Sequence, residues 1–228
     1  MATEKNCAID ISVNKADRHS PHKSVFVDQE NKIIYLHTHK NASKTIRRSM
    51  LRPRHTSENI ENLINDGYKT FWVVRNPLER VVSSFSEIGH MARNMCKEDY
   101  VWESLEWKDI DIDNEFEFFI ERIEKSYFDP HVYPQILTLI HKNIKIEDVD
   151  RIILFDNLQE EILSFVDENG IQGWNLKLYQ VKTGPADSII KKHLSDRIQK
   201  STALQERIIS LYEEDMEIYQ QLAKLRGP

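Results

Sequence analysis

Between positions 40 and 54 lie six basic residues, Lys40, Lys44, Arg47, Arg48, Arg52 and Arg54, and no acidic one. In a chain of formal net charge −6 this local excess points to an anion site, although a solvated helix face could have the same composition. The patch opens with His37-Thr38-His39-Lys40-Asn41-Ala42-Ser43-Lys44-Thr45, which follows an apolar, β-branched run and precedes a helical pattern. A strand-loop-helix turn aims backbone N–H groups and the positive end of a helix at one point, a ready site for phosphate. Lys40 and Lys44 would add charge there, Ser43 and Thr45 hydroxyl donors, and Asn41 and Ala42 would bring the loop backbone past the anion.

A second segment carries matching chemistry. Phe71-Trp72-Val73-Val74 is a continuous apolar run, and Arg75-Asn76-Pro77 follows it. Arg75 stands at the strand tip, and Ser83 lies eight residues on, about two turns into the next helix. If that helix packs back beside the tip, a guanidinium fork and a hydroxyl can grip one phosphate. The plainer reading gives Arg75 an ion pair with Glu79 and makes Ser83 a small packing residue.

These residues need strands to carry them and helices to cover the strands. Strands are expected over 32–37, 70–74 and 151–155, with helices over 45–51, 59–65, 78–88, 115–123 and 159–168, another starting at 134–141, and a long closing one over 201–222. Phe116, Phe119, Ile120 and Ile123 fall on one helical face, while residues 89–113, with Trp102 and Trp107, read as irregular. Alternating strands and helices imply an α/β protein: a three-layer, P-loop-like fold whose mostly parallel central sheet is flanked by helices. Residues 1–24 read as a polar N-terminal arm and 25–228 as a single domain.

Composition excludes several classes. The net charge of −6 argues against a nucleic-acid backbone as partner. Cys7 and Cys96 fit no zinc spacing and make no disulfide framework, so free thiols in a reducing compartment are expected. No apolar run approaches the ~18 residues of a membrane span, and residues 1–20 lack the apolar core of a signal peptide, so the expected location is cytoplasmic.

The two segments together resemble the donor-binding signatures of the sulfotransferase superfamily. The first is similar to its 5′-phosphosulfate loop, with Lys40 at the lysine position and Ala42 near the usual glycine. The second is similar to R-[DN]-P-x-x-R-x-x-S, which Arg75, Asn76, Pro77, Arg80 and Ser83 fill. Further motifs resemble the carbohydrate-type, "family 2" branch: His55-Thr56, His131-x-x-Pro134-Gln135, the strand end at Phe155-Asp156-Asn157-Leu158, and the closing Tyr212-x-x-Asp215-x-x-x-Tyr219.

The resemblance implies transfer of a sulfuryl group from 3′-phosphoadenosine 5′-phosphosulfate (PAPS) to a hydroxyl or amine of a sugar or small metabolite, leaving adenosine 3′,5′-bisphosphate (PAP), with no metal. Lys40 would stabilise the leaving phosphate, and Ser43, Lys44 and Thr45 would hold the 5′-phosphate. Arg75 and Ser83 would hold the 3′-phosphate, and Lys182 would clamp the donor from a late loop. His55 would be the base, with His39, His90 and Glu87 as rivals and His131 structural or in contact with the acceptor. Trp102, Trp107, Tyr127 and Tyr133 offer an acceptor platform or simply core packing. Two alternatives remain. Thr38 to Thr45 has the spacing of a kinase or NTPase loop without its glycines, which would take Mg·ATP. A non-catalytic nucleotide-binding protein on the same scaffold is the other. The sequence leaves the oligomeric state open.

Overall fold

The computed structural model describes residues 25–56, 59–94, 111–127, 129–175 and 185–226. Its centre is a five-stranded sheet of order β3-β1-β2-β4-β5. The strands are β1 (Val25–Asp28), β2 (Ile33–Leu36), β3 (Arg54–Thr56), β4 (Lys69–Val74) and β5 (Arg151–Leu154). β1 runs antiparallel to both β2 and β3, whereas β4 is parallel to β2 and to β5. Four strands therefore point one way and only β1 opposes them, the mostly parallel sheet that the alternating pattern implies.

Three of these strands, β2, β4 and β5, were legible as apolar runs. The other two were not. β1 and β2 form a hairpin closed by a polar turn, in which the Asp28 carboxylate accepts from the Asn31 N–H (3.1 Å) and side-chain amide (2.8 Å). β3 is only three residues long and carries no apolar residue. It exists because β1 offers it an edge, with Phe26 opposite His55 in the register.

The helices are α1 (Ser43–Ser49), α2 (Ile60–Asn65), α3 (Pro77–Asn94), α4 (Ile112–Lys125), α5 (Leu137–Ile140), α6 (Leu158–Glu168), α7 (Pro185–Lys200), α8 (Thr202–Leu211) and α9 (Glu213–Arg226). Pro77 takes the first position of α3, where its missing N–H costs nothing. α3 outruns its expected end at 88 by six residues, α4 starts at Ile112 inside the stretch expected to be irregular, and Trp102 and Trp107 lie outside the described residues. α7 was not anticipated, its charged face hiding the apolar one that buries Ile190, Leu194 and Ile198. The single closing helix is in fact α8 and α9, broken at Tyr212, whose ring is buried and whose hydroxyl donates to the Val132 carbonyl at 2.7 Å.

Alternation along β4 explains the layers. Phe71 and Val73 pack with Ile46 of α1, Met50 just after it, and Ile162 and Phe165 of α6. Trp72 and Val74 point to the opposite side, with Ile60 and Leu63 of α2, Leu139 of α5 and Leu222 of α9. The four expected residues of α4 are all buried, in a third cluster built on α3, α7 and α8. Arg80 joins that cluster to the sheet. It is 1% exposed and donates to the carbonyls of His39 (3.2 Å), His131 (3.2 Å) and Tyr133 (2.6 Å).

Removing a buried guanidinium takes a donor from all three carbonyls, and that of His131 keeps another, the Ser84 hydroxyl. Arg80→Met is expected to lower unfolding stability by about 3 kcal/mol. Chemical denaturation should show this as a lower midpoint at an unchanged slope.

Candidate functional site

β2 and β4 are adjacent and parallel, with Leu36 opposite Trp72, so the chain segments leaving their carboxyl ends emerge side by side. That position is where open α/β sheets place ligands. Thr38 roots the first segment: its hydroxyl accepts from the Trp72 indole N–H at 2.9 Å and lies 2.7 Å from the Thr138 hydroxyl.

The loop then turns through two left-handed residues, Lys40 at φ 68° and Ala42 at φ 58°. Each non-glycine residue in that region costs about 1–2 kcal/mol. Asn41, between them, supplies the compensation. It is fully buried, and its amide donates to the Val73 carbonyl (2.7 Å) and to Gln135 Oε1 (2.5 Å), while its own carbonyl accepts from the Tyr35 hydroxyl at 3.3 Å. Asn41, expected beside the anion, thus has its side chain committed to holding the loop. Ala42 stands at the N-cap of α1 in the glycine-like conformation, and the first turn of that helix has no side-chain cap and no acidic residue. Ser43 and Thr45 sit in that turn, half-buried, with Lys44 exposed between them.

Arg75 reaches the same loop. Its Nη1 donates to the Lys40 carbonyl (3.3 Å), its Nη2 to Glu79 (3.4 Å), and its guanidinium lies 4.3 Å from the Phe155 ring centre. The ion pair with Glu79 exists, yet it does not exhaust the group, because the buried Nε has no hydrogen-bond partner among the described residues. Ser83 is buried on α3. Arg80, three residues before it, touches His39, and Glu87, four after it, touches Lys40, so this helix face meets the loop. Its hydroxyl has no hydrogen-bond partner among the described residues.

Glu87 is the residue whose importance the sequence understated. Its carboxylate holds Lys40 Nζ at 2.5 Å, lies 3.4 Å from Lys44 Nζ and is 3.9 Å from His131 Nε2. Burial alone would raise its pKa, but the Lys40 hydrogen bond and charge, with His131 and Lys44, bring it down to about 2. Burial lowers the Lys40 pKa, Glu87 opposes that, and Lys191 of α7 and Arg75 add repulsion. Nearby, the rings of His37, His39 and His131 form a row, with centres 4.8 and 4.4 Å apart. His39 is held down to about 4 by burial first and then by His131.

The remaining expected residues are more distant or lie outside what is described. His55 pairs with Phe26 across β1, two strands from β2, and its side chain is not among those described. Lys182 lies outside the described residues. Among the described residues, no three His, Cys, Asp or Glu side chains are arranged to hold a metal ion, and no helix is long and apolar enough to cross a membrane.

A mostly parallel α/β sheet carries cationic side chains, an uncapped helix start and the Arg75 Nε, buried without a partner among the described residues, at its carboxyl edge. The chain belongs to the sulfotransferase family, whose family-2 model matches residues 23–220, and it is a transferase on that ground. No curated protein and no solved structure matches it.

His39 gives the site a pH signature. An unfolded histidine protonates near 6.5 and folded His39 near 4, so the folded state binds fewer protons between these values. Stability should therefore fall as pH drops from about 6.5 to about 4 and level off below that, by a term on the order of 1–3 kcal/mol. His39→Gln is expected to flatten that part of the curve in denaturation midpoints measured against pH.

Proposed function

We propose that the protein transfers a sulfuryl group from PAPS to a hydroxyl or amine of a sugar or small metabolite. The observation that carries this reading is the meeting of Lys40, Arg75 and the Ser83 face of α3 at the carboxyl edge of β2 and β4, with the Arg75 Nε unpartnered. Those residues fit a donor bearing phosphate at two ends. The α1 start, with Ser43, Lys44 and Thr45, suits the 5′-phosphosulfate. Arg75 and Ser83 suit the 3′-phosphate, which separates this donor from simpler nucleotides.

PAPS supplies an activated sulfuryl group on a phosphate leaving group. The protein positions it and stabilises the charge that builds on the leaving oxygen. Lys40 is the residue for that charge, and the donor must take it from Glu87. The family resemblance assigns the acceptor proton to His55 and a donor clamp to Lys182. The kinase alternative gains no support: Thr38, at its first glycine position, is pinned under Trp72, and Asp156 already accepts from the Tyr219 hydroxyl at 2.7 Å.

Thermal-shift titration tests the donor. PAP without Mg²⁺ is expected to raise the melting temperature, while Mg·ATP at equal concentration does so far less. Stronger stabilisation by Mg·ATP would refute the reading. Lys40→Ala should cut transfer from labelled PAPS by about 10²–10³-fold, and Arg75→Ala should weaken PAP binding by about tenfold or more.

Glu87 opposes an incoming anion. Glu87→Gln removes one negative charge beside Lys40 and is expected to tighten PAP binding several-fold in low-salt calorimetry, the gain shrinking as salt rises.

A further inference from the structure

We propose that His131, held by Asp129, and not the His55 to which the family resemblance points, takes the proton from the acceptor, an inference that rests on the sulfuryl-transfer reading.

The backbone of His131 is pinned at both ends. Its N–H donates to Asp129 Oδ1 at 2.9 Å, and its carbonyl accepts from Arg80 Nη2 at 3.2 Å and from the Ser84 hydroxyl at 2.7 Å. The same Asp129 oxygen lies 2.6 Å from the ring Nδ1. A carboxylate there fixes Nδ1 as the protonated nitrogen and leaves the lone pair on Nε2. Asp129 stays ionised: burial works against that, and the two His131 hydrogen bonds outweigh it. The pair has the layout of a base with its orienting group.

The direction of Nε2 makes the pair relevant to transfer. It faces Glu87 Oε1 at 3.9 Å, and the other oxygen of that carboxylate holds Lys40 Nζ at 2.5 Å. A single carboxylate thus separates the free lone pair from the ammonium expected at the leaving oxygen. Glu87 fills that place in the free protein, and once the donor draws Lys40 from it, the attacking hydroxyl and the sulfur would stand between Nε2 and the leaving phosphate. The His131 side chain is 22% exposed, which gives the proton a route to water.

The other groups facing His131 serve this role less well. His39 packs on its ring, but its Nε2 is buried without a partner. Glu87 is committed to Lys40 and Lys44. Arg80 contributes a fixed charge behind the His131 carbonyl, and Asp129 faces the nitrogen turned away from Lys40.

The step balances simply. A lone pair of the acceptor oxygen or nitrogen forms the new bond to sulfur. The bond from sulfur to the bridging oxygen of the 5′-phosphate breaks, and its electrons remain on that oxygen beside Lys40. The acceptor proton passes to His131 Nε2 and then to solvent. The products are the sulfated acceptor and PAP.

The test uses the full chain and labelled PAPS with cell-extract acceptors, measuring transfer against pH and PAP affinity in parallel. His131→Ala is expected to lose about 10²–10⁴-fold in transfer, to keep PAP affinity within a few-fold, and to lose the acidic limb of the wild-type pH profile. Asp129→Asn should shift or flatten that limb with a smaller loss. His131→Gln replaces the alanine variant if the latter does not fold. The inference is overturned if the acidic limb survives in His131→Ala, if PAP affinity falls as far as transfer does, or if His55→Ala alone removes the limb. A wild type that binds PAP and transfers to nothing refutes the transfer reading and takes this inference with it.

Discussion

The Gln135 side chain joins the parts on which the site depends. Its Oε1 accepts from the Arg75 N–H at 2.9 Å and from the Asn41 amide at 2.5 Å, and its Nε2 donates to the Arg75 carbonyl at 2.9 Å. Its own backbone N–H donates to Asp215 at 2.6 Å, and the next residue's N–H to the same carboxylate at 2.9 Å. One fully buried amide therefore ties the tip of β4, the loop after β2 and the start of α9 together. A buried polar network of this kind specifies one arrangement because breaking it leaves buried groups unpaired; here Asn41 Oδ1 alone of its side-chain atoms has no partner among the described residues. Without it, the left-handed turn at Lys40 and Ala42 would have no anchor.

Charge in the site follows from that rigidity. The clamp holds Lys40 in a half-buried place where burial lowers its pKa, and Glu87 stands against it from α3. Lys44, Arg75 and Lys191 add positive charge around the same loop. The free protein thus keeps its cations together with two carboxylates of its own, Glu87 on Lys40 and Lys44 and Glu79 on Arg75, and under the proposed function an anionic donor would compete with both. Arg80 contributes differently. It matches the motif position as expected, but its donors are spent on carbonyls of the fold.

Much of the fold was legible because its signals are local. β4 reads as a buried strand from Phe71 to Val74 alone, and Pro77 marks a helix start wherever it falls in the chain. β1 and β3 were not legible, since β3 is a short polar segment that becomes a strand only when an edge is offered. α7 escaped for a related reason: its apolar residues are sparse and count only against α3 and α4. In the candidate site, Lys40, Arg75 and Ser83 were singled out by residue type and spacing, and the fold brings their segments to one edge of the sheet. Glu87 appeared as no more than a rival base, and the structural roles of Gln135 and Asp215 were hidden because their partners lie roughly 60 to 95 positions away.

Sequence by itself determined the class of the protein, its two basic segments at strand ends and the family they resemble, because a strand tip, a helix start and a basic side chain are adjacent along the chain. Tertiary structure alone decided which cation meets which carboxylate, that Asn41 faces inward, and that Glu87 stands between Lys40 and a His131 held by Asp129. Those outcomes depend on where α3 and the segment at 129–135 pack on the sheet. Such packing is a sum of many distant contacts that no short stretch of sequence encodes.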